Sequence, residues 1–215
     1  MDIFLVSHTE NDRVKNIKVC GVKFYNFSID LSDFDALVAT SKNSIKALKN
    51  NSINLVNLEV FSIGQSTTKA ALDFGFTQIY TAKNSHGNEF AHEIIPLLKN
   101  KKVIFLKAKD SVSNIREILI KNHINLSEIL AYETEILNLS KDEILSKIPP
   151  KNSVLIFTSP SNVKGFLQNF NIDDSYKLIA IGKATAKELK GYKNVSISDK
   201  QNINECIKLA KFIAF

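Results

Sequence analysis

The chain has 215 residues, 44% of them hydrophobic, and 28 lysines and arginines against 22 aspartates and glutamates give it a net charge of +6. This length allows one large domain or two small ones, and no run approaches the roughly 20 consecutive apolar residues of a membrane span. Acidic residues are interspersed with the lysines and no nucleic-acid-binding module is recognisable, so the composition favours neither a membrane partner nor a nucleic-acid partner.

The first apolar run, at residues 3–6, predicts a short buried strand. It is too short for the core of a signal peptide, and Asp2 stands where such a peptide carries basic residues, so we expect a cytoplasmic protein. Cys20 and Cys206 belong to no CxxC pair and no Cys/His cluster. They are therefore predicted to be buried free thiols, with neither a disulfide framework nor a zinc site.

Further along the chain, short apolar runs alternate with helical patterns. The predicted strands lie at residues 37–39, 60–63, 103–107, 155–157 and 178–181. Apolar residues at helical spacing form three stripes: Val112, Ile115, Ile118 and Leu119; Val163, Phe166, Leu167 and Phe170; and Ile203, Cys206, Ile207 and Ala210. Residues 23–31 and 129–137 instead alternate apolar and polar side chains, as half-exposed strands do. The pattern predicts an α/β fold with mainly parallel sheets flanked by helices.

The chain also repeats itself. A strand ending in Thr40-Ser41 and then a helix recurs as a strand ending in Thr158-Ser159 and then a helix. Gly64 with Thr67 recurs as Gly182 with Thr185. Both pairs are 118 positions apart, since 158 − 40 and 182 − 64 agree. A third match, of residues 3–5 with residues 104–106, has an offset of 101. This period is too long for a solenoid repeat, so two related α/β halves are predicted.

The repeated turns have a chemical consequence. Ser41 and Ser159 are placed to accept a backbone N–H at the start of the following helix, and Pro160 suits the first helical position. The remaining free N–H groups and the positive end of the helix dipole favour an anion. Gly64 and Gly182 permit tight turns and the close approach of a ligand. Ligands of open α/β sheets bind at the carboxyl ends of the strands, so two such sets of turns suit a ligand with several carboxylates.

Two other motifs predict no site. Gly182-Lys183 resembles the end of a phosphate-binding P-loop, but Lys177 replaces the upstream glycine and Ala184 replaces the magnesium-binding hydroxyl residue. Glu89 and His92 have the spacing of a di-iron ligand pair, but the partner glutamates and a second copy are missing. A solvated helix face explains this pair better than a metal site does, and no metal is predicted.

Taken in order, five segments resemble the uroporphyrinogen-III synthase family. They are Leu-Val-Ala-Thr-Ser-Lys-Asn-Ser at 37–44, Ser-Ile-Gly-Gln-Ser-Thr at 62–67, Ala-Tyr-Glu-Thr at 131–134, Ile-Phe-Thr-Ser-Pro-Ser at 156–161 and Ala-Ile-Gly-Lys-Ala-Thr-Ala at 180–186. Their order and spacing extend over nearly the whole chain, and the last two are the most specific.

The resemblance implies two similar α/β domains joined by a two-stranded connector. One domain would be discontinuous, with residues 1–31 and 137–215, and residues 34–133 would form the inserted domain. The alternating segments 23–31 and 129–137 match the connector strands.

The resemblance also implies a reaction: cyclisation of hydroxymethylbilane to uroporphyrinogen III, with loss of water and inversion of the last pyrrole ring. A lyase of this kind needs no cofactor, and its partner is the tetrapyrrole substrate; we expect a monomer. Tyr132 matches the tyrosine that the family favours as the group assisting departure of the hydroxyl. Candidate substrate contacts are the turn residues Thr40, Ser41, Gly64, Thr67, Thr158, Ser159, Gly182 and Thr185, together with Lys109.

The chain departs from the family at two turns. Ser7-His8 stands where members often carry Thr-Arg, and Lys107-Ala108-Lys109 stands where they often carry Arg-Gly. Basic character is partly kept, but the bidentate geometry of arginine is lost. One alternative stays open from the residues alone: a non-enzymatic, two-lobed binding protein for a small polyanion would share the duplicated halves and the helix N-termini.

Overall fold

A computed structural model describes residues 1–83, 87–110 and 113–214. The chain divides into two compact units. The first unit consists of Met1–Gly21 and Glu135–Phe215, and the second unit is Val22–Thr134. The first unit is therefore discontinuous in sequence, and the second is inserted into it.

The described residues form alternating strands and helices. The strands are β1 (Ile3–Val6), β2 (Lys15–Ile17), β3 (Cys20–Phe24), β4 (Ala36–Ala39), β5 (Glu59–Ser62), β6 (Ile79–Thr81), β7 (Lys102–Ala108), β8 (Asn125–Ile136), β9 (Val154–Phe157), β10 (Lys177–Ala180) and β11 (Val195–Ile197). The helices are α1 (Lys42–Asn50), α2 (Gln65–Phe74), α3 (Gly87–Leu98), α4 (Ile115–Lys121), α5 (Lys141–Lys147), α6 (Pro160–Asn169), α7 (Lys183–Glu188) and α8 (Ile203–Ala214). A short 3-10 helix covers Leu31–Asp33.

The sheet of the first unit has five strands in the order β11-β10-β9-β1-β2, all paired in parallel. Its buried strands are apolar on both faces, as a covered parallel sheet requires. One face packs against α6 through Val163 and Phe166, and the other packs against α8 through Cys206 and Ile207.

The second sheet has six strands in the order β3-β8-β7-β4-β5-β6, and the pairs from β8 to β6 are parallel. Leu37 and Ala39 face a core shared with α1, whereas Ala36 and Val38 face a core shared with α3 and α4. The alternation of side chains along β4 thus serves both layers of helices. The predicted α/β class with two mainly parallel sheets flanked by helices is confirmed.

The alternating segment at 23–31 is only partly a strand, and the prediction of a strand over its whole length is wrong. Strand β3 ends at Phe24, and the 3-10 helix begins at Leu31. Phe27 and Ile29 nevertheless pack against the core of the second unit, which explains their apolar spacing. For the same reason the second unit begins at Val22 and includes residues that the sequence assigned to the discontinuous domain.

The weak third repeat was aligned one residue out of register. Strand β4 pairs Ala36 with Val103, and the equivalent strand β9 pairs Val154 with Ile3. Ile3 therefore corresponds to Val103, an offset of 100 instead of 101. A slip of one residue exchanges the two faces of a strand, and continuous apolar runs do not reveal it.

Two smaller predictions concern the cysteines and the stripe before α4. Cys20 and Cys206 are both free and buried, as predicted. Ile115, Ile118 and Leu119 lie in or against the core, whereas Val112 lies outside the described residues. None of the helices in the described ranges has the length and apolar character needed to cross a bilayer.

Candidate functional site

The first turn of α1 is capped by the side chain that the sequence indicated. Thr40 follows the end of β4, and Ser41 adopts an extended backbone with φ −160° and ψ 151°. The Ser41 hydroxyl accepts a hydrogen bond from the backbone N–H of Asn43 at 3.1 Å. Three residues after Ser41, the fully buried Ser44 donates its hydroxyl to the carbonyl of Leu106 at 2.7 Å.

Tyr132 points into the same region because β8 is irregular. Lys107 pairs with Leu130 and Ala108 pairs with Tyr132, so Ala131 is an extra residue in β8. Such a bulge lets two consecutive residues face one side, and Ala131 and Tyr132 do pack in the same core. The side chain of Tyr132 is 6% exposed. Alternation of side chains alone could not have predicted this orientation.

The phenol of Tyr132 interacts with two side chains at the start of α1. Burial raises its pKa above the ordinary value of 10.0, and hydrogen bonding with the side chains of Ser41 and Ser44 opposes that rise. Tyr132 is therefore protonated throughout the neutral range. Its chemistry is that of a hydrogen-bond or proton donor, not that of a phenolate base. The structure thus brings together Ser41 and Tyr132, two of the residues predicted from sequence.

Gly64 follows β5 at the same edge of the sheet as Ser41, since Ala39 at the end of β4 pairs with Ser62 at the end of β5. It is the N-cap of α2 and contributes no capping side chain. Its φ of 172° is extended backbone that any residue adopts, so the backbone conformation does not explain the glycine. Thr67 is only 1% exposed, and its backbone N–H donates to Gly64 O at 3.0 Å.

Three side-chain hydroxyls connect the start of α2 with the strands beside it. Thr68 shares one hydrogen bond of 2.5 Å with Ser62 and another of 2.7 Å with Thr81. Ser62 ends β5, Thr81 ends β6, and Thr68 lies in the first turn of α2. The chain of hydroxyls therefore ties the start of α2 to two strands.

Lys109 follows β7 at the carboxyl end of the same sheet. Its backbone N–H donates to Tyr132 O at 2.9 Å, and its ammonium group lies 2.9 Å from Glu133 Oε2. Glu133 also lies 3.3 Å from the ammonium group of Lys23. The Tyr25 phenol and then Lys109 hold the pKa of Glu133 well below its usual range, at about 2.

The turn before α6 in the first unit repeats the design of the turn before α1. Ser159 has φ −163° and ψ 161°, and its hydroxyl accepts the backbone N–H of Asn162 at 3.2 Å. Pro160 occupies the start of the helix, as predicted. Thr158 Oγ1 lies 3.4 Å from Val6 O and accepts the Asn162 side-chain amide at 3.0 Å.

Gly182 and Thr185 begin α7 in the first unit. Gly182 has an extended backbone, φ −171°, and Thr185 is 2% exposed. A Cβ at Gly182 would lie 2.9 Å from Gln201 Nε2, so Gln201 covers this position. The two threonines Thr67 and Thr185 are thus both buried.

Sequence reasoning missed four polar residues beside these turns: Ser44, Asn162, Glu133 and Tyr25. Ser44 and Asn162 occupy equivalent positions, since 162 − 44 is again 118. That spacing was a signal that could have found them. Tyr25 and Glu133 are distant in sequence, and no repeat relates them.

The fold and the turns together define a class: a duplicated α/β protein whose sheets each end in hydroxyl-capped helix starts suited to anionic groups. A family model described as uroporphyrinogen-III synthase HemD matches residues 25–208. The chain belongs to the uroporphyrinogen-III synthase family.

Solved structures agree with this assignment. The chain is similar to uroporphyrinogen-III synthetase from Helicobacter pylori 26695, with a TM-score of 0.85, 28% identity and coverage of 99% of each chain. A mutant uroporphyrinogen III synthase from Thermus thermophilus gives a TM-score of 0.55 at 10% identity, covering 98% of this chain and 97% of that one. This second likeness shows the fold alone. No curated protein sequence matches the chain.

Proposed function

We propose that this protein is a uroporphyrinogen-III synthase, a cyclising lyase that converts hydroxymethylbilane to uroporphyrinogen III. The observation that carries the proposal is the similarity to the Helicobacter pylori synthetase over 99% of both chains. The protein would act in the cytoplasm as a monomer, with no cofactor and with the linear tetrapyrrole as its partner.

The reaction needs a donor to the departing hydroxyl. The substrate loses this hydroxyl, with a proton, as water and becomes an electron-poor azafulvene. Tyr132 is supported as the donor because its pKa is raised by burial and its phenol remains protonated. A substituted carbon of the last pyrrole ring then attacks, a spiro intermediate rearranges, and the ring releases a proton. Protons therefore balance over the whole cycle.

Beyond the proton donor, catalysis requires mainly that the substrate is held in one reactive conformer. Acetate and propionate carboxylates can be bound by the backbone N–H groups that begin α1, α2 and α6, where the helix dipole favours negative charge. Ser41 and Ser159 orient two of these turns by capping them. Thr40, Thr158 and Gly64 shape the same turns, Gly182 shapes the equivalent turn before α7, and Lys109 adds a positive charge in the second unit.

A coupled assay tests the proposal. Freshly generated hydroxymethylbilane is incubated with the protein, the products are oxidised, and the type I and type III porphyrin isomers are separated by chromatography. We expect mainly type III in proportion to the protein added. Type I alone, the product of spontaneous closure, would contradict the synthase and would favour a polyanion-binding protein instead.

A further inference from the structure

Lys109 belongs to a cluster of four side chains in the second unit, with Glu133, Lys23 and Tyr25. Glu133 Oε2 lies 2.9 Å from Lys109 Nζ, and Glu133 Oε1 lies 3.3 Å from Lys23 Nζ. The phenol of Tyr25 hydrogen-bonds to Glu133 and to Lys109. Neither Tyr25 nor Glu133 has a role in the reaction proposed above.

The backbone fixes the cluster. Glu133 follows Tyr132 in β8, so its side chain points to the opposite side of the strand. The N–H of Tyr25 donates to Ala131 O at 3.0 Å, and the N–H of Lys109 donates to Tyr132 O at 2.9 Å. Residues that follow the two neighbouring strands, β3 and β7, are therefore tied to one short stretch of β8.

Charge and exposure within the cluster are unequal. Two ammonium groups face one carboxylate, which leaves the cluster with a net charge of +1. The Glu133 side chain is 16% exposed, whereas those of Lys109 and Lys23 are 55% and 56% exposed. The carboxylate is thus enclosed and the cations are open, an arrangement that suits a further anion on the outer side.

An enclosed carboxylate also restricts a flexible lysine. A lysine side chain loses rotamer entropy when it is fixed, and prior fixing removes part of that cost from binding. An ammonium group has three N–H donors, so bonds to Glu133 and Tyr25 do not exhaust its capacity.

We propose that Glu133 and Tyr25 are positioning residues that hold the ammonium group of Lys109 for a carboxylate of the substrate. The inference rests on the proposed synthase function. It explains how a lysine serves where the bidentate geometry of arginine is lost: two partners restore the fixed direction that a guanidinium group has by itself.

The sign of the KM change tests the proposal. Glu133→Gln raises the net charge of the cluster to +2, so an effect of charge alone would lower the KM for hydroxymethylbilane. Positioning predicts the opposite: KM rises about threefold and kcat is unchanged, which corresponds to a weakened charge-assisted hydrogen bond. Tyr25→Phe leaves the charge unchanged and should also raise KM.

A double-mutant cycle shows whether the two residues act through Lys109. Lys109→Met should raise KM about tenfold, the loss of one charge-assisted contact. Neither Glu133→Gln nor Tyr25→Phe should add to this change in the Lys109→Met background. Additive effects would mean that Glu133 and Tyr25 act elsewhere, and would overturn the proposal.

Glu128 provides a matched control on the same strand. Its carboxylate also pairs with two cations, Lys107 at 3.1 Å and Arg116 at 2.7 Å. Glu128→Gln should leave KM unchanged. An equal rise in KM for Glu128→Gln and Glu133→Gln would count against a specific role of Glu133.

Two outcomes separate this inference from the proposed function. If the wild-type protein forms type III product and Lys109→Met leaves KM unchanged, the synthase stands and the positioning role is wrong. The contact between Glu133 and Tyr25 can be tested without substrate. The NMR chemical shift of the Tyr25 carbon that carries the hydroxyl is followed across a pH titration. The pKa of the Tyr25 phenol should fall in Glu133→Gln. An unchanged pKa would overturn the positioning role of the two residues, whatever the product assay shows.

Discussion

The two units build the same strand-to-helix turn but satisfy the buried polar groups beneath it differently. In the second unit Ser44 donates directly to Leu106 O at 2.7 Å. In the first unit the equivalent Asn162 bonds Thr158 Oγ1, which in turn lies 3.4 Å from Val6 O. Asn162 Oδ1 is buried without a hydrogen-bond partner among the described residues. The duplicated architecture is therefore kept while its polar contacts diverge.

The weak acid beside each helix start also differs. Ile129 and Ile17 occupy equivalent register positions, opposite Leu106 and Val6 respectively. Three residues further on stand Tyr132 and Cys20. Burial raises the pKa of the Cys20 thiol to about 11, and the thiol donates to Ser161 O at 3.2 Å. Both units place a buried, protonated group here, but only the second unit has a phenol.

The largest expected effect tests this difference directly. Tyr132→Phe should lower kcat about 100-fold, because it removes the proton donor, and should leave residual type III formation from binding alone. Cys20→Ser should leave kcat unchanged. Stopped-flow cyclisation measures both variants.

The pH profile sharpens the same comparison. The donor role of Tyr132 is lost as pH rises through its pKa, and that pKa is raised above 10.0. Wild-type kcat should therefore not fall through loss of this proton between pH 7 and about 9. An equal loss of kcat in Tyr132→Phe and Cys20→Ser would remove the distinction between the units, and unchanged kcat in Tyr132→Phe would remove Tyr132 from the mechanism.

Sequence patterns predicted the elements that are locally determined. Ser41 and Ser159 cap their helices as expected, because a hydroxyl after a buried strand and before an apolar helical stripe has a local role. The common offset of 118 positions also predicted two related halves, and β4 and β5 do correspond to β9 and β10 at this offset. The prediction of substrate contacts at these turns stays a prediction.

Features that depend on strand register could not be predicted from the sequence. The bulge at Ala131 turns Tyr132 inward, and β1 aligns with β7 at an offset of 100. Apolar strands buried on both faces give no alternation from which register can be read. Tyr25 and Glu133 meet only because β3 and β8 are neighbours in the sheet.

The next effect concerns how closely α6 approaches the segment that follows β2. Gly165 in α6 corresponds to Ala47 in α1, since 165 − 47 is 118. A Cβ at Gly165 would lie 2.8 Å from Val19 O and 3.1 Å from Cys20 Sγ. Gly165→Ala should therefore destabilise the protein by about 1–2 kcal/mol, because the contact outweighs the roughly 1 kcal/mol by which alanine favours a helix.

Ala47→Gly provides the reciprocal measurement in the second unit. It should cost about 1 kcal/mol through helix propensity. Urea denaturation of both variants gives the two values. A stabilising Gly165→Ala would show that α6 leaves room for a Cβ beside Val19, as α1 does at Ala47.

The smallest expected effect distinguishes how each unit holds a carboxylate. The pKa of Glu133 falls from 4.5 to about 2, first through Tyr25 and then through Lys109. The pKa of Asp173 in the first unit is lowered mainly by the hydroxyl and the N–H of Ser175. A lowered carboxylate pKa stabilises the folded state above the unfolded value, and this contribution is lost as pH falls through the folded pKa.

The difference in Tm between wild type and Glu133→Gln should therefore be largest above pH 4.5 and should decrease as the pH falls towards 2. Because the ammonium groups of Lys109 and Lys23 are more than half exposed, added salt should also reduce this difference at neutral pH. Asp173→Asn should show the pH dependence with much less dependence on salt, since Ser175 carries no charge. Equal salt dependence in the two variants would mean that the lysines contribute little to the low pKa of Glu133, and that the carboxylate is held by Tyr25 alone.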